Sequence, residues 1–376
     1  MILAWSAFFL WAFGIGTQFL STLITLVCYR RSDLIDDTEI VGVSIIKPIK
    51  GIDPGFEEGV ETYFQLDYPL FEILFCLQPG DRAQAVIENL CRKYPFVDAN
   101  IIISSAHIGP NPKVNNMLEA YENASHDTIW VSDSNTRTSR DMLHRIVTYL
   151  KPNVGVVTSV VSGREGRLIG GRLECLFLNG FYARWMYFAA IIGWPFVVGK
   201  LMVFRRSTMA RIGGLSTLSR YIAEDYMAGV AIRRLGMKIA VMNEPIEQYI
   251  GPLTLQKFWS RHIRWGRIRK AQSPLTFLIE PLLSPFFGLG SGLVAIATLF
   301  SVSPAIFFSA HLVIWLLCDM AVYIRMEHKM GWTFFFDWLI REPVSLGIWM
   351  QSLLGSRINW RGNDLKILPG GLVTPR

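Results

Sequence analysis

Two long segments of this chain carry no charged side chain. Residues 1–29 contain no Asp, Glu, Lys or Arg, and neither do residues 282–318. Because a helix needs roughly 20 apolar residues to cross a bilayer, residues 3–28 are predicted to form one span. A secretory signal peptide is the alternative, but the segment lacks a basic start and its apolar run is too long for a signal core. We therefore expect an uncleaved membrane anchor.

The second apolar region, residues 282–324, is long enough for two spans with a break at residues 301–304. Arg30 and Arg31 directly follow the first span, so the positive-inside rule places the chain after them in the cytoplasm. Two later spans return the chain to that side. Residues 343–354 are too few for a full span and are predicted to be re-entrant or interfacial, with a fourth span left open. The prediction is a multi-pass membrane protein with a cytoplasmic domain, in a bacterial inner membrane or a Golgi-type membrane.

The chain between the apolar segments alternates short apolar runs with helix-like stretches over residues 41–243, which is typical of an α/β sheet. The predicted strands are residues 43–46, 71–77, 100–103 and 128–131. The predicted helices include residues 83–94 and 114–121. Ligands of open α/β sheets collect beyond the carboxyl ends of the strands. Polar residues that follow these strands are therefore the candidates for a binding site.

Three polar positions lie at strand ends or at a helix start. Asp81, in the turn after the second strand, could hold a base or a ribose, and it also fits an exposed loop aspartate. Asp133 follows a buried strand and could bind Mg²⁺ or Mn²⁺, although a turn or a helix cap also favours aspartate there. Lys113 stands beside a helix start, where its charge suits phosphate. The sequence contains no glycine-rich phosphate loop, so a metal and basic side chains must carry any phosphate charge.

An acidic pair and a basic motif frame the stretch that follows the predicted sheet. Glu224 and Asp225 open a predicted helix. Arg261, Arg264 and Trp265 stand at positions i, i+3 and i+4, so they share one face of a helix. A surface acidic pair beside a basic membrane-edge helix would explain either part alone. Together, a carboxylate base and a cationic clamp fit the transfer of a sugar from a diphosphate, because the base deprotonates the attacking hydroxyl and the clamp holds the leaving phosphates.

The formal net charge of +7 raises the question of a nucleic-acid partner. Basic residues gather at the edges of the apolar segments, above all in residues 257–270, where they are interleaved with Phe258, Trp259 and Trp265. The sequence has no zinc-finger spacing and no RNA-binding aromatic motif. We therefore predict no nucleic-acid partner, and we interpret residues 255–280 as an interfacial helix whose cations face lipid headgroups.

These motifs together resemble the signature of family 2 glycosyltransferases, in which acidic positions precede a (Q/R)xxRW motif. More narrowly, the chain is similar to the ceramide glucosyltransferase group over residues 43–371, which is nearly its whole length. The segments that carry the resemblance are residues 43–48, 66–69, 109–116, 130–134, 221–226 and 261–265.

The resemblance implies an α/β GT-A nucleotide-sugar-binding domain, a UDP-sugar donor, a divalent metal (Mg²⁺ or Mn²⁺) and inversion at the anomeric carbon. It also implies that the acceptor is the hydroxyl of a membrane lipid, ceramide, reached from the cytoplasmic leaflet, and that a single sugar, glucose, is transferred.

Roles can be carried over by position from the family motif. Asp81 would contact the uridine, Asp133 would bind the metal and the diphosphate, and Asp225 would be the general base. The residues that would line the diphosphate and the acceptor end are Arg261, Arg264 and Trp265. The remaining donor-binding candidates are Lys47, Lys113 and Glu224.

The chain departs from the family pattern in three places. Asn135 stands where the family often has a second acidic metal ligand, which bears on metal affinity and geometry. The surroundings of Asp81 are less acidic than is usual. Residues 164–198 match least, and we interpret them as contacting the acceptor. Related enzymes that glycosylate hopanoid alcohols share the framework, so a hopanoid alcohol or diacylglycerol stays open as the acceptor, and galactose or N-acetylglucosamine as the sugar.

Two other functions fit parts of the sequence. A processive polysaccharide synthase shares the acidic positions and the RW motif, but its polymer channel would need more spans than three or four. A non-enzymatic lipid carrier would have no use for Asp133, Asp225 and Arg264 together. The predicted organisation is a transmembrane anchor at 1–29, a GT-A domain at 30–254, an interfacial helix at 255–280, two transmembrane helices at 281–325 and an interfacial or re-entrant segment at 326–376.

Overall fold

The computed structural model describes residues 1–29, 39–326 and 329–375. Arg30 and Arg31, on which the predicted orientation depends, lie outside these residues. The described chain forms two compact units. The helical unit comprises the described residues of Met1–Tyr29, Gly166–Phe188 and Pro252–Gly371. The sheet unit comprises those of Arg30–Glu165, Ala189–Gly251 and Leu372–Arg376.

Strands and helices are numbered along the chain. The strands are β1 (Val43–Pro48), β2 (Phe71–Leu77), β3 (Ala99–Ile103), β4 (Thr128–Val131), β5 (Thr136–Arg137), β6 (Val154–Arg164), β7 (Met202–Arg205), β8 (Lys238–Tyr249), β9 (Arg357–Trp360), β10 (Asn363–Ile367) and β11 (Val373–Pro375). The α-helices are α1 (Ile2–Cys28), α2 (Phe56–Phe64), α3 (Ala83–Lys93), α4 (Pro112–Asn123), α5 (Met142–Tyr149), α6 (Ile169–Leu176), α7 (Ala183–Ile191), α8 (Arg206–Ala210), α9 (Glu224–Arg234), α10 (Leu255–Gln272), α11 (Pro274–Ile279), α12 (Pro285–Leu299), α13 (Pro304–Arg325) and α14 (Phe334–Leu353). A π-helix (Phe177–Tyr182) and 3₁₀ helices (Leu215–Arg220, Glu280–Leu283 and Pro369–Gly371) complete the helices.

The sheet unit is built on one mixed sheet with the strand order β3-β2-β1-β4-β7-β6-β8-β5. Strand β1 is parallel to β2 and to β4, so that Ile45 stands opposite Ile73 on one side and Trp130 on the other. These strands are almost fully buried and mostly apolar, as expected for parallel strands covered on both faces. The predicted strands 71–77 and 128–131 are confirmed with the same bounds. Strand β7 is antiparallel to β4 and β6, which makes the sheet mixed.

Helix α4 packs against the first half of the sheet and sets the position of one end of the site. Val114 and Met117 are fully buried in the cluster that also contains Ile46. Asn116 donates hydrogen bonds from Nδ2 to the carbonyl oxygens of Ile49 (3.2 Å) and Cys76 (2.8 Å), which lie at the ends of β1 and β2. The first turn of α4 therefore lies at the carboxyl ends of these strands.

The helical unit contains the apolar helices. Among the described residues, α1 and α13 are long and apolar enough to cross a membrane. Helix α12 has only 15 residues, and it reaches spanning length only if it is counted together with Pro274–Leu283, from which it is bent by 67°. The predicted break at residues 301–304 is present, because α12 ends at Leu299 and α13 begins at Pro304. The described chain thus has two candidate spans, or three with the bent pair.

Helix α14 begins well before the apolar stretch 343–354. Asp337, Arg341 and Glu342 interrupt the apolar pattern in the sequence, yet all three are buried inside the helix. Asp337 pairs with Arg172 (2.8 Å), and Arg341 pairs with Glu342. Pairing makes burial of these charges tolerable, so the helix continues through them. Pro343, which lacks a backbone N–H, is also accommodated within it.

Candidate active site

Lys47 fixes the loop that follows β4. Its side chain is fully buried and lies over the ring of Tyr63, with Nζ 3.5 Å from the ring centroid. The ammonium donates hydrogen bonds to the carbonyl oxygen of Asp133 (3.1 Å) and to Oγ1 of Thr136 (3.4 Å). Burial lowers the pKa of Lys47 well below its usual value. These contacts hold the backbone of the loop; direct contact between Lys47 and a donor stays a prediction.

Asp133 lies between two lysines at the end of β4. Its Oδ1 is 2.8 Å from Nζ of Lys113, and its Oδ2 is 3.3 Å from Nζ of Lys200. Burial favours the neutral carboxyl, but the two ammonium groups outweigh it and hold the pKa of Asp133 well below its usual range. Lys200 also donates to Oδ1 of Asn135 (3.0 Å). Oxygens of Asp133 and Asn135 therefore converge on one cationic group.

Lys113 links this aspartate to the acidic pair of α9. Its Nζ lies 2.7 Å from Oε1 of Glu224, whose side chain is almost fully buried. Burial would lower the pKa of Lys113, but the charges of Asp133, Glu224 and Asp225 raise it above its usual value. Asn111 caps α4 by accepting from the backbone N–H groups of Lys113 (2.9 Å) and residue 114 (3.2 Å), and its Nδ2 donates to Oε2 of Glu224 (3.1 Å). The starts of α4 and α9 are thus joined.

Asp225 is held by backbone groups rather than by an ion pair. Its Oδ2 accepts from the N–H of Gly199 (2.7 Å) and its Oδ1 from the N–H of Tyr226 (2.8 Å). Burial, and then the charge of Glu224, raise the pKa of Asp225 to about 6. A Cβ at Gly199 would lie 2.6 Å from Nζ of Lys113 and 3.3 Å from Oδ2 of Asp225, so a side chain there would displace the Lys113 ammonium. The half-buried carboxylate is therefore poised to titrate near neutral pH.

Asp81 lies in the loop after β2 and connects two loops at the carboxyl end of the sheet. Its Oδ2 accepts from the N–H of Gly51 (2.8 Å), and its Oδ1 accepts from the N–H of Ala83 at the start of α3 (2.9 Å). Gly51 has a left-handed backbone, with φ of 71°. The predicted contact of Asp81 with uridine stays a prediction.

Within the helical unit, α10 carries the basic motif on one face, as its spacing predicts. The guanidinium of Arg261 lies 5.3 Å from the ring centroid of Trp265, one turn later. Arg261 also pairs with Oε1 of Glu174 (3.3 Å), and Nε2 of His262 lies 2.7 Å from Oε2 of the same carboxylate. Glu174, on α6, is fully buried. It ties two consecutive residues of the motif to one acidic side chain.

Arg264 differs from its neighbours on α10. Within the described part of the chain its guanidinium makes no hydrogen bond or ion pair. Burial, followed by the like charges of Arg261 and Arg361, lowers the pKa of Arg264 to about 10. An arginine surrounded by positive charge gains most from an anionic partner, and its planar fork suits phosphate oxygens.

The sheet-unit cluster has oxygen donors of the type that a hard divalent cation prefers. Among the described residues, no three His, Cys, Asp or Glu side chains form a group that could hold a metal. Mg²⁺, however, is commonly held by one or two carboxylates together with substrate phosphates. Oxygens of Asp133 and Asn135 already converge on the ammonium of Lys200. Asp133 and Asn135 could therefore supply two oxygen ligands, and an ion bound there would take the place of the Lys200 ammonium.

A mixed sheet with carboxylates and lysines at its carboxyl ends, followed by an arginine-bearing helix, is the architecture of a GT-A-like glycosyltransferase. Comparison with solved structures agrees on the fold: the mannosyltransferase PcManGT from Pyrobaculum calidifontis, solved with GDP-Man and Mn²⁺, superposes with a TM-score of 0.58 at 16% identity, covering 94% of this chain and 99% of its own. The sequence model of glycosyl transferase family 21 matches residues 8–373. The chain belongs to this family.

Curated relatives agree with that assignment. The chain is 30% identical to ceramide glucosyltransferase 3 of Caenorhabditis elegans, covering 90% of this chain and 76% of the relative. It is 28% identical to the ceramide glucosyltransferase of Komagataella phaffii, covering 90% and 84%. The predicted fold class and the predicted family are therefore confirmed, and the chain is a glycosyltransferase.

Sequence reasoning missed Lys200, Asn111 and Glu174 as parts of these clusters. Asn111 stands in a quoted motif, and its position directly before a proline and a helix start is the signal for a cap. Lys200 follows a glycine just before β7, a weak signal by itself. Glu174 is a lone carboxylate within an apolar run, so a buried partner could have been suspected.

Proposed function

We propose that this chain transfers glucose from UDP-glucose to the hydroxyl of ceramide, with inversion at the anomeric carbon. The observation that carries the proposal is the Asp225 carboxylate, which two backbone N–H groups orient and whose pKa is raised to about 6. A general base works best when its pKa lies near the working pH. The names of the curated relatives support ceramide as the acceptor and glucose as the sugar.

In the proposed reaction, Asp225 takes the proton from the lipid hydroxyl as its oxygen bonds to the anomeric carbon. The bond between that carbon and the diphosphate oxygen breaks, and the nucleoside diphosphate leaves with the electron pair. Glu224 fits the role of base less well, because Lys113 occupies one of its oxygens (2.7 Å) and Asn111 the other (3.1 Å). Glu224 instead fixes the cation beside Asp225.

The diphosphate needs positive charge as it leaves. We propose that Lys113 and the clamp formed by Arg261 and Arg264 supply part of this charge. Arg264 has no hydrogen-bond or ion-pair partner among the described residues, so its guanidinium can pair with the phosphate. Asp133 and Asn135 would hold Mg²⁺ or Mn²⁺, and the bound ion would neutralise phosphate charge. The proposed role of Trp265 is to line the acceptor end, where Arg261 already packs on its ring.

The predicted organisation is part of the proposal. We propose that α1 and α13, with the bent pair as a third element, cross the membrane, and that the GT-A domain at 30–254 faces the cytoplasm. The segments at 255–280 and 326–376 would then lie at the interface. The basic residues and tryptophans of α10 suit a headgroup layer.

The test is to purify the full chain in lipid nanodiscs and offer it UDP-glucose, UDP-galactose or UDP-N-acetylglucosamine with ceramide, diacylglycerol or a hopanoid alcohol. Mass spectrometry identifies the product, and NMR of the anomeric proton reports the linkage. We expect glucosylceramide with a β linkage from the α-linked donor. Transfer to another lipid, retention of configuration or polymer formation would contradict the proposal.

A further inference from the structure

A cavity of about 50 Å³ lies inside the helical unit, several times the roughly 15 Å³ that one water molecule needs. Its walls come from α10, α14, the π-helix and the 3₁₀ helix Glu280–Leu283. Most of the lining is apolar. Aromatic side chains such as Phe177 and Phe181 form part of it, and its polar side chains include His262, Ser284 and Ser345. Apolar linings with a few placed polar groups are typical of small-molecule sites, whose volumes are about 300–1,000 Å³. This cavity is smaller and has room for one small group of a ligand.

The charges on the cavity wall neutralise one another. Arg269 donates from Nε and one Nη to the carboxylate of Glu280 (3.1 and 2.7 Å), and Arg341 pairs with Glu342; all four line the cavity. Burial lowers the pKa of His262 below its usual value, which favours the neutral ring. A phosphate would have to break one of these pairs to find a cation. The wall therefore suits an uncharged ligand.

One polar group on the wall has no partner in the described chain. Oγ of Ser284 is enclosed and makes no hydrogen bond with any described residue. A buried hydroxyl without a hydrogen-bond partner is unfavourable, and a ligand with an amide or hydroxyl group would supply that partner. Ser284 lies directly before α12, at the edge of the apolar helices.

The cavity begins at the helix that carries the basic motif. His262 stands between Arg261 and Arg264 in sequence and lines the cavity with its ring, while Phe177 packs edge-on against that ring, with centroids 4.6 Å apart. Nearby helices expose large apolar side chains, such as Leu278 at 60% and Phe287 at 41%. A ligand in the cavity would thus place its polar end near the basic motif of α10 and its apolar part against the exposed apolar side chains of the nearby helices.

We propose that this cavity binds the uncharged acceptor lipid at its amide-bearing, head-proximal segment, with Ser284 contacting the amide or hydroxyl. The inference rests on the proposed function, since it specifies where that acceptor is bound. It accounts for the apolar lining, the internally paired charges and the partnerless hydroxyl together.

The test fills the cavity with Ser345→Phe and compares it with Ser309→Phe, the same change at an exposed position of α13. We expect Ser345→Phe to raise KM for ceramide at least tenfold while KM for UDP-glucose stays within twofold, and Ser309→Phe to leave both unchanged. Should Ser345→Phe fail to reach the membrane fraction, Ser345→Val adds less volume and should raise KM for ceramide about threefold. Unchanged KM for ceramide in the folded variant overturns the proposal.

A second arm separates the acceptor from bulk lipid. Native mass spectrometry of the detergent-solubilised protein, given ceramide or phosphatidylcholine, counts bound lipid without any turnover. Ser284→Ala should weaken ceramide retention about threefold to tenfold and leave phosphatidylcholine unaffected. Equal binding of both lipids, or equal loss of both, means a structural lipid and contradicts the proposal. If ceramide binds here but is not glucosylated by the parent protein, the proposed function fails while the site stands.

Discussion

The two charged clusters differ in how their charges are balanced. In the sheet unit, Lys113 lies within 2.8 Å of both Asp133 and Glu224, and Lys200 pairs with Asp133 at 3.3 Å. In the helical unit, Arg264 has no ion-pair or hydrogen-bond partner among the described residues, and burial lowers its pKa to about 10. One cluster is internally neutralised and the other keeps an excess of positive charge.

This difference indicates a division of tasks. A paired network holds its geometry before any substrate arrives, so it can orient the Asp225 base. An unpaired guanidinium gains most of its interaction energy only when an anion forms beside it, which is the condition for accelerating a reaction rather than merely binding a substrate. We expect changes at Asp225 and Glu224 in the first cluster to alter proton transfer, and changes at Arg264 in the second to alter departure of the diphosphate.

Metal removal has the largest expected effect. It tests whether the internally paired cluster around Asp133 also needs a divalent ion for activity. Chelation with EDTA should stop turnover, and Mn²⁺ or Mg²⁺ should restore it, because the ion would carry phosphate charge beside Asp133. Asn135→Asp adds a second carboxylate and should lower the metal concentration for half-maximal activity. Full activity in the presence of EDTA would contradict the metal requirement. The phosphate charge would then be neutralised by Lys113, Arg261 and Arg264 alone.

Arg264→Ala addresses the cluster with excess charge. Loss of one donor to a developing anion lowers kcat by about 10²–10³, and the protein should stay in the membrane fraction. Lys270→Ala is the matched control, because Lys270 lies on the same helix and donates to the carbonyl oxygens of Leu353 and Gly355. Equal, mild losses from both changes would favour a role in membrane anchoring and leave the leaving-group clamp unassigned.

Lys113→Met has a smaller but more specific effect. The charge of Lys113 lowers the pKa of Asp225, against burial and Glu224, which raise it. Removing that charge should shift the acid limb of kcat/KM to a pH above 6. Lys200→Met, which removes a cation from the other side of Asp133, should leave the limb in place. An unmoved limb in Lys113→Met would show that the titrating group is not Asp225. Because the buried carboxylate of Glu224 loses its cation, we also expect a loss of about 3 kcal/mol in stability.

Much of the sheet unit could be predicted because the strands are short and mostly apolar segments. Residues 71–77 and 128–131 are strands with the predicted bounds, and α9 begins at Glu224 as expected. Helical spacing alone places Arg261 and Trp265 together on α10. These are local signals, readable within a few residues.

The clusters themselves depend on pairs that are far apart in the sequence. Glu174 and His262 are separated by 88 residues, and Lys200 and Asp133 by 67. Periodicity carries no information about such pairs. The burial of Lys47 under the Asp133 loop and the continuation of α14 through Asp337 were equally out of reach, since each depends on a partner supplied by tertiary packing.

The pH dependence of kcat/KM, measured beside Asp225→Asn, tests the central claim that Asp225 is the general base. The protonated carboxyl cannot accept the acceptor's proton, so kcat/KM should fall tenfold per pH unit below a midpoint near 6. Asp225→Asn should abolish transfer, and with it the fall of kcat/KM at low pH, while UDP-glucose binding falls little. Asp98→Asn, at an exposed position, and Glu224→Gln are measured alongside. Activity of Asp225→Asn within tenfold of the parent, with the limb intact, would contradict the account.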